Sequence, residues 1–160
     1  MAYQKLQAGR GIAVITSNTV DVPFPGTTKQ SQSTNTSTGG GGLNLIDTAA
    51  LFITRGVVVG DIIYNTTDGT CAVVSSIVSE TQLVCSAAIF AASGKKYLVF
   101  DKTGNNGCVL YVGGAGNLSV RTVGGDTIIL NGVTAGQFIP VQVLGVNASN
   151  TTATNIVALW

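Results

Sequence analysis

Seven carboxylates and three thiols are the groups in this 160-residue chain that could do acid–base, nucleophilic or metal chemistry. They are Asp21, Asp47, Asp61, Asp68, Glu80, Asp101 and Asp126, with Cys71, Cys85 and Cys108; histidine is absent. Without an imidazole the usual general base is missing, and a hydrolytic triad would need a substitute. Two carboxylates can hydrolyse a glycoside. Here, however, Asp61, Asp68, Asp101 and Asp126 sit beside glycine or in turn-like contexts, where Asp is favoured for backbone geometry alone. No aromatic-rich sugar platform accompanies them. Asp68-Gly69 does not open a calcium loop, because the run lacks alternating carboxylates and a closing Glu. The cysteines are odd in number and without paired metal spacing, so they read as buried thiols used as small apolar side chains. The glycine-rich loops fail as phosphate cradles: Gly42 is followed by Leu43-Asn44 instead of Lys-Ser/Thr, and 112–116 lacks the dinucleotide spacing. The expectation is a protein with no catalytic residue, no metal and no cofactor.

The elements that would have to position such groups read as strands. From 107 to 160, short apolar runs are punctuated by Gly-Gly, Asn-Gly and Ala-Gly pairs about every ten residues. Strands are expected at 109–112, 118–123, 127–130, 138–146 and 155–160, and residues 118–123 alternate in the strand manner. The apolar run ending in Trp160 reads as a strand docked in a core or an interface. Upstream, 1–11 reads as an extended arm and 12–16 as a short β-branched strand, broken by Pro23 and Pro25. The text TTKQSQSTNTSTGGGG of 27–42 reads as a linker.

Residues 43–103 form a second expected unit. Asp47 is placed to cap a helical turn or two over 47–53, and strands are expected at 57–59, 62–64, 71–78, 82–85 and 95–100. Asp68-Gly69 marks a turn tip, and 87–92 fits either class. Five short strands in so few residues suggest a small half-open barrel. Charged residues make only 9% of the chain, against about a quarter in an average soluble domain, which suits permanent packing among neighbours. The net charge of +1 and the absence of a basic cluster argue against nucleic acid as a partner. No apolar run is long enough for a membrane helix, and no secretory leader opens the sequence, so synthesis in a cytoplasm is expected.

Four blocks carry a resemblance: Leu-Tyr-Val-Gly-Gly-Ala-Gly (110–116), Gly-Gly-Asp-Thr (124–127), Ala-Gly-Gln-Phe-Ile-Pro-Val (135–141) and Thr-Thr-Ala-Thr-Asn-Ile-Val-Ala-Leu-Trp (151–160). In this order the segment resembles the C-terminal part of small virion proteins of tailed phages and gene-transfer agents, of the head-decoration, cement or spike-base type. The run from Gly56 to Thr70 looks like a module common in phage structural proteins. The resemblance implies an all-β chain of two small antiparallel units, sandwich- or barrel-like, one inserted into the other behind an extended N-terminal arm. The implied boundaries are 1–26 (arm and strand of the C-terminal unit), 27–42 (linker), 43–103 (inserted barrel) and 104–160 (C-terminal unit). It implies a structural virion protein that decorates and stabilises the outer surface of a phage head, made in the host bacterial cytoplasm. The alternative is a head-spike base or a host-glycan-binding adhesin module. The implied partners are the major capsid protein and the chain itself, as a homotrimer or else a pentamer, with no nucleic acid and no membrane. Ile156, Leu159, Trp160, Phe138 and Tyr111 are the expected interface residues.

Overall fold

The computed structural model describes residues 8–32 and 42–160. The parts of the expected arm and linker at 1–7 and 33–41 lie outside the described residues. The chain is nearly all β, in two six-stranded antiparallel sheets. It divides into two compact units, one of Met1–Asn18 with Asn106–Trp160 and the other of Thr19–Asn105.

The first unit is one sheet. Its strands are β1 (Gly11–Ala13), β8 (Cys108–Gly114), β9 (Gly116–Thr122), β10 (Thr127–Val133), β11 (Gln137–Val146) and β12 (Thr154–Leu159), in the order β1-β12-β8-β11-β9-β10. The alternation of apolar residues fixes the register: Leu110 faces Ile139 on one side and Ala158 on the other, and all three are buried. Leu118, Val120, Val133, Val143 and Ile156 are buried too. The 12–16 strand is shorter than its β-branched text suggests. Beyond Ala13 the chain continues against the sheet through single bonds, Val14 amide to Ile156 carbonyl (2.9 Å) and Ser17 amide to Val146 carbonyl (2.8 Å). The Arg121 guanidinium holds that stretch down, donating to the Ser17 carbonyl (2.7 Å) and to the Asn147 side-chain oxygen. Gly145 makes room for it, since a Cβ there would meet the guanidinium at 2.1 Å.

The second unit's strands are β2 (Thr28–Ser31), β3 (Asn44–Ile46), β4 (Ile62–Asn65), β5 (Thr70–Ser79), β6 (Gln82–Cys85) and β7 (Tyr97–Phe100), ordered β2-β7-β4-β5-β6-β3. The long β5 pairs with β4 over its first residues and with β6 over its last, with register shifts where it changes partner. Every residue of β4 is buried, so this strand is covered on both faces. On one side Ile63 joins a core with Leu45, Phe52, Leu83, Phe90, Tyr97 and Val99. On the other, Tyr64 meets Phe100 edge-on at 5.6 Å.

Four expectations need correction. Residues 28–31 are not linker but an edge strand, paired with β7. A ladder needs only backbone groups, so polar Thr-Lys-Gln-Ser can form one when its lysine is anchored. That anchor is Asp61, wholly buried, with the Lys29 ammonium at 2.8 Å; the same ammonium lies 3.0 Å from Asp101. Residues 19–26 belong with the second unit: Val20 and Val22 are buried, and the Asn105 amide nitrogen donates to the Val22 carbonyl (2.7 Å). Residues 47–53 make turns instead of a helix. Asp47 accepts the Ala49 amide (2.9 Å), but the Tyr97 hydroxyl (2.6 Å) draws it into the core. Residues 57–59 form no strand, because the Val58 amide donates to the Asp61 carboxylate (2.8 Å) and closes a turn. The inserted unit therefore has six strands where five were expected, with 28–31 and 44–46 added and 57–59 removed; 87–92 contributes only an isolated bridge at Phe90.

Removing the Asp61 carboxylate leaves two amide donors without their acceptor and Lys29 with Asp101 alone. Asp61→Ala is expected to cost about 3–5 kcal/mol in urea unfolding, whereas Asp101→Ala, at the half-exposed end of the pair, costs under ~1 kcal/mol. Acid acts in a defined window. The Thr103 hydroxyl and amide, then Lys29, lower the Asp101 carboxyl to about 2. Its folded value thus lies below the unfolded one of about 3.9. Its contribution is complete above that value and lost as pH falls toward about 2. Thermal melts from neutral pH down to that range should fall in this interval, and less so in Asp101→Asn.

Candidate assembly surface

Successive residues of a strand point to opposite faces, so the buried row of the first unit implies a second row behind it. The register places Phe138 opposite Tyr111, Tyr111 opposite Val157, and Val157 opposite Ala13. This is an apolar row across β11, β8, β12 and β1, on the face away from Leu110, Val112, Ile156 and Ala158. A parallel row sets Val109 opposite Leu159. Phe138 is 61% exposed, and its ring lies 5.2 Å from that of Tyr111 at 58°. Tyr111, Val109, Val157 and Leu159 are half-buried.

Of the five expected interface residues, Tyr111, Phe138 and Leu159 share this face. Ile156 does not. It is 5% exposed and faces the core beside Val112, so its place is in folding and not at an interface. Trp160 lies just beyond β12, half-buried. Its amide donates to the Arg10 carbonyl (3.0 Å) and its carbonyl accepts the Gly9 (2.6 Å) and Arg10 amides (3.3 Å), which extends the β1–β12 pairing. Val109, Val157 and Ala13 complete the surface, and only register reveals them. One signal was present in the sequence: from Thr127 to Trp160 there is no Asp, Glu, Lys or Arg. Three strands of the sheet, β10, β11 and β12, therefore carry no charge.

No protein family, curated protein or solved structure matches this chain.

Most of the groups with chemical potential are tied into local structure. Asp61 and Asp101 hold Lys29. Burial by itself would depress that ammonium, but the hydrogen bonds to the two carboxylates outweigh it and hold its pKa above the usual lysine value. Asn65 accepts the Thr67 and Asp68 amides (both 3.1 Å) and donates to Asp68 (2.9 Å), which also pairs with Lys95 at 2.7 Å. Glu80 accepts the Thr54 hydroxyl, the Thr54 amide and the Ile53 amide, and these bonds lower its pKa. Asp126 lies exposed in the turn before β10. None of the three cysteines is in a disulfide; burial pushes Cys85 and Cys108 up to about 12, and Cys71 is half-buried.

The two faces should separate in mutagenesis. Ile156→Ala is expected to cost about 2–5 kcal/mol of folding stability, as a buried aliphatic truncation does. Phe138→Ser should stay within about 0.5 kcal/mol of wild type in urea unfolding of the dilute protein, as an exposed substitution does. A larger loss for Phe138→Ser would place that ring in the fold instead of on the surface.

Proposed function

We propose that this chain is a non-catalytic structural protein of a tailed-phage-type particle, seated on the outer surface of the head as decoration or cement. The observation that carries the reading is the two-faced apolar sheet. An antiparallel sheet with one solvated face alternates apolar and polar residues. Here the strands β8, β11 and β12 put Leu110, Ile139 and Ala158 inward and Tyr111, Phe138 and Leu159 outward, with no charge on β11 or β12. A face of this kind is suited to lie against another protein surface for the life of the assembly. The four sequence blocks resembling small virion proteins supply the particle, and the Tyr111–Phe138 face supplies the contact, with other copies and with the major capsid protein. Three copies about an axis is the preferred arrangement, because head lattices offer many three-fold positions.

Sedimentation at micromolar concentration and binding to purified heads that lack the protein test this reading. The wild type is expected to sediment as an oligomer and to saturate heads at many copies per particle in electron micrographs, and Phe138→Asp to sediment as a smaller species and to leave heads bare while staying folded. A monomer that leaves such heads bare would overturn the reading. So would turnover of any substrate that disappears in an Asp→Asn variant.

A further inference from the structure

The end of the first sheet carries a second contact, different in kind from the face. β10 is its last strand, bonded to β9 on one side, and among the described residues no strand pairs with its other side. The hydrogen-bond phase shows which groups are left over. The Thr122 amide donates to the Asp126 carbonyl at 2.8 Å, which makes that pair a bonded one. Antiparallel pairs alternate between bonded and non-bonded. Ile128 opposite Val120 and Leu130 opposite Leu118 are therefore bonded pairs as well. The amides and carbonyls of Thr127 and Ile129 then point away from β9, toward the open side.

Natural sheets blunt such edges with lysine, proline, a bulge or a short strand. From Thr127 to Leu130 there is no charge and no proline, and the register shift comes only after Leu130. Each face carries apolar side chains: Ile128 and Leu130 are half-buried toward the core, and on the other face Ile129 is 47% exposed beside the exposed Thr127. A strand added here would bond to the free amides and carbonyls and cover apolar surface on both faces.

We infer that the β10 edge pairs antiparallel with β10 of a second copy of this chain, joining two six-stranded sheets about a two-fold axis. The second copy is the occupant that the chemistry selects. Two identical strands run antiparallel about a two-fold axis, so each free amide of Thr127 and Ile129 meets a free carbonyl of the same pair of residues. A strand without charge also gives no electrostatic preference for a foreign, charged segment. Where the Tyr111–Phe138 face joins copies about another axis, the two contacts together give an even number of chains. The inference does not rest on the head-surface reading, and purified protein alone decides it.

Ile129→Pro is the discriminating variant, since it removes an amide that points outward and leaves the bonded pairs with β9 intact. Light scattering on the eluting full-length protein should give an even multiple of the chain mass for the wild type and half that mass for Ile129→Pro. Ile129→Lys, which keeps the amide but puts a charge on the edge, should do the same. A wild type of odd multiplicity, or variants that keep the wild-type mass, would overturn the inference. If Ile129→Pro fails to fold, hydrogen exchange on the wild type decides. The Thr127 and Ile129 amides should be protected at high concentration and exchange freely on dilution, while the Ile128 amide stays protected throughout. Free exchange of both outward amides at every concentration would likewise overturn it.

Discussion

A single buried carboxylate holds the second unit together. Asp61 is wholly excluded from water and takes the Lys29 ammonium at 2.8 Å, the Val58 amide at 2.8 Å and the Lys102 amide at 3.3 Å. Stripping water from that charge costs several kcal/mol, a cost offset only when geometry and partners are complete. Three segments far apart in sequence must therefore arrive together: the polar edge strand β2, the turn before β4 and the residues after β7. Asp101 closes the group from the solvent side, so Lys29 stands between two carboxylates. The Tyr97 hydroxyl on Asp47 does the same at the core's other side, where Tyr97 also meets Phe52 at 6.1 Å and Phe90 at 6.2 Å.

The first unit solves the same problem with almost no charge. Its sheet is stitched by Arg121, whose guanidinium reaches the Ser17 carbonyl and Asn147, while Asn147 donates to Ser119 at 3.0 Å. The rest is aliphatic packing on one side and an apolar row on the other. Repulsion between like charges keeps many proteins apart in solution. Strands β10 to β12 have no such protection, and this one property underlies both the face and the edge.

Much of the first unit was legible in the sequence, because its turns are written in Gly-Gly, Asn-Gly and Ala-Gly pairs and its strands alternate cleanly. The second unit was legible only where residues act locally. Val57-Val58-Val59 has the composition of a strand, yet the Asp61 carboxylate captures the Val58 amide and bends it. Thr28 to Ser31 has the composition of a linker, yet Lys29 finds Asp61 thirty-two residues away. Both errors turn on one carboxylate: Asp61 binds the Val58 amide three residues before it and the Lys29 ammonium far along the chain, and each bond overrides the preference of the segment it holds. The candidate surface was half legible. The motif text pointed to Tyr111 and Phe138, but strand parity separates Leu159 from Ile156, and parity follows from pairing partners that no single segment specifies.

The pairing of β1 with β12 has a mechanical consequence. Gly9 and Arg10 lie beside Trp160, so the two described ends of the first unit leave the same end of one antiparallel ladder. Tension applied between them loads the bonds of that ladder in sequence, from Trp160 inward, and not all at once. The ends peel like a zipper at low force. The β8–β11 and β9–β11 ladders lie outside that line of pull, so the sheet's centre stays intact while its first edge opens.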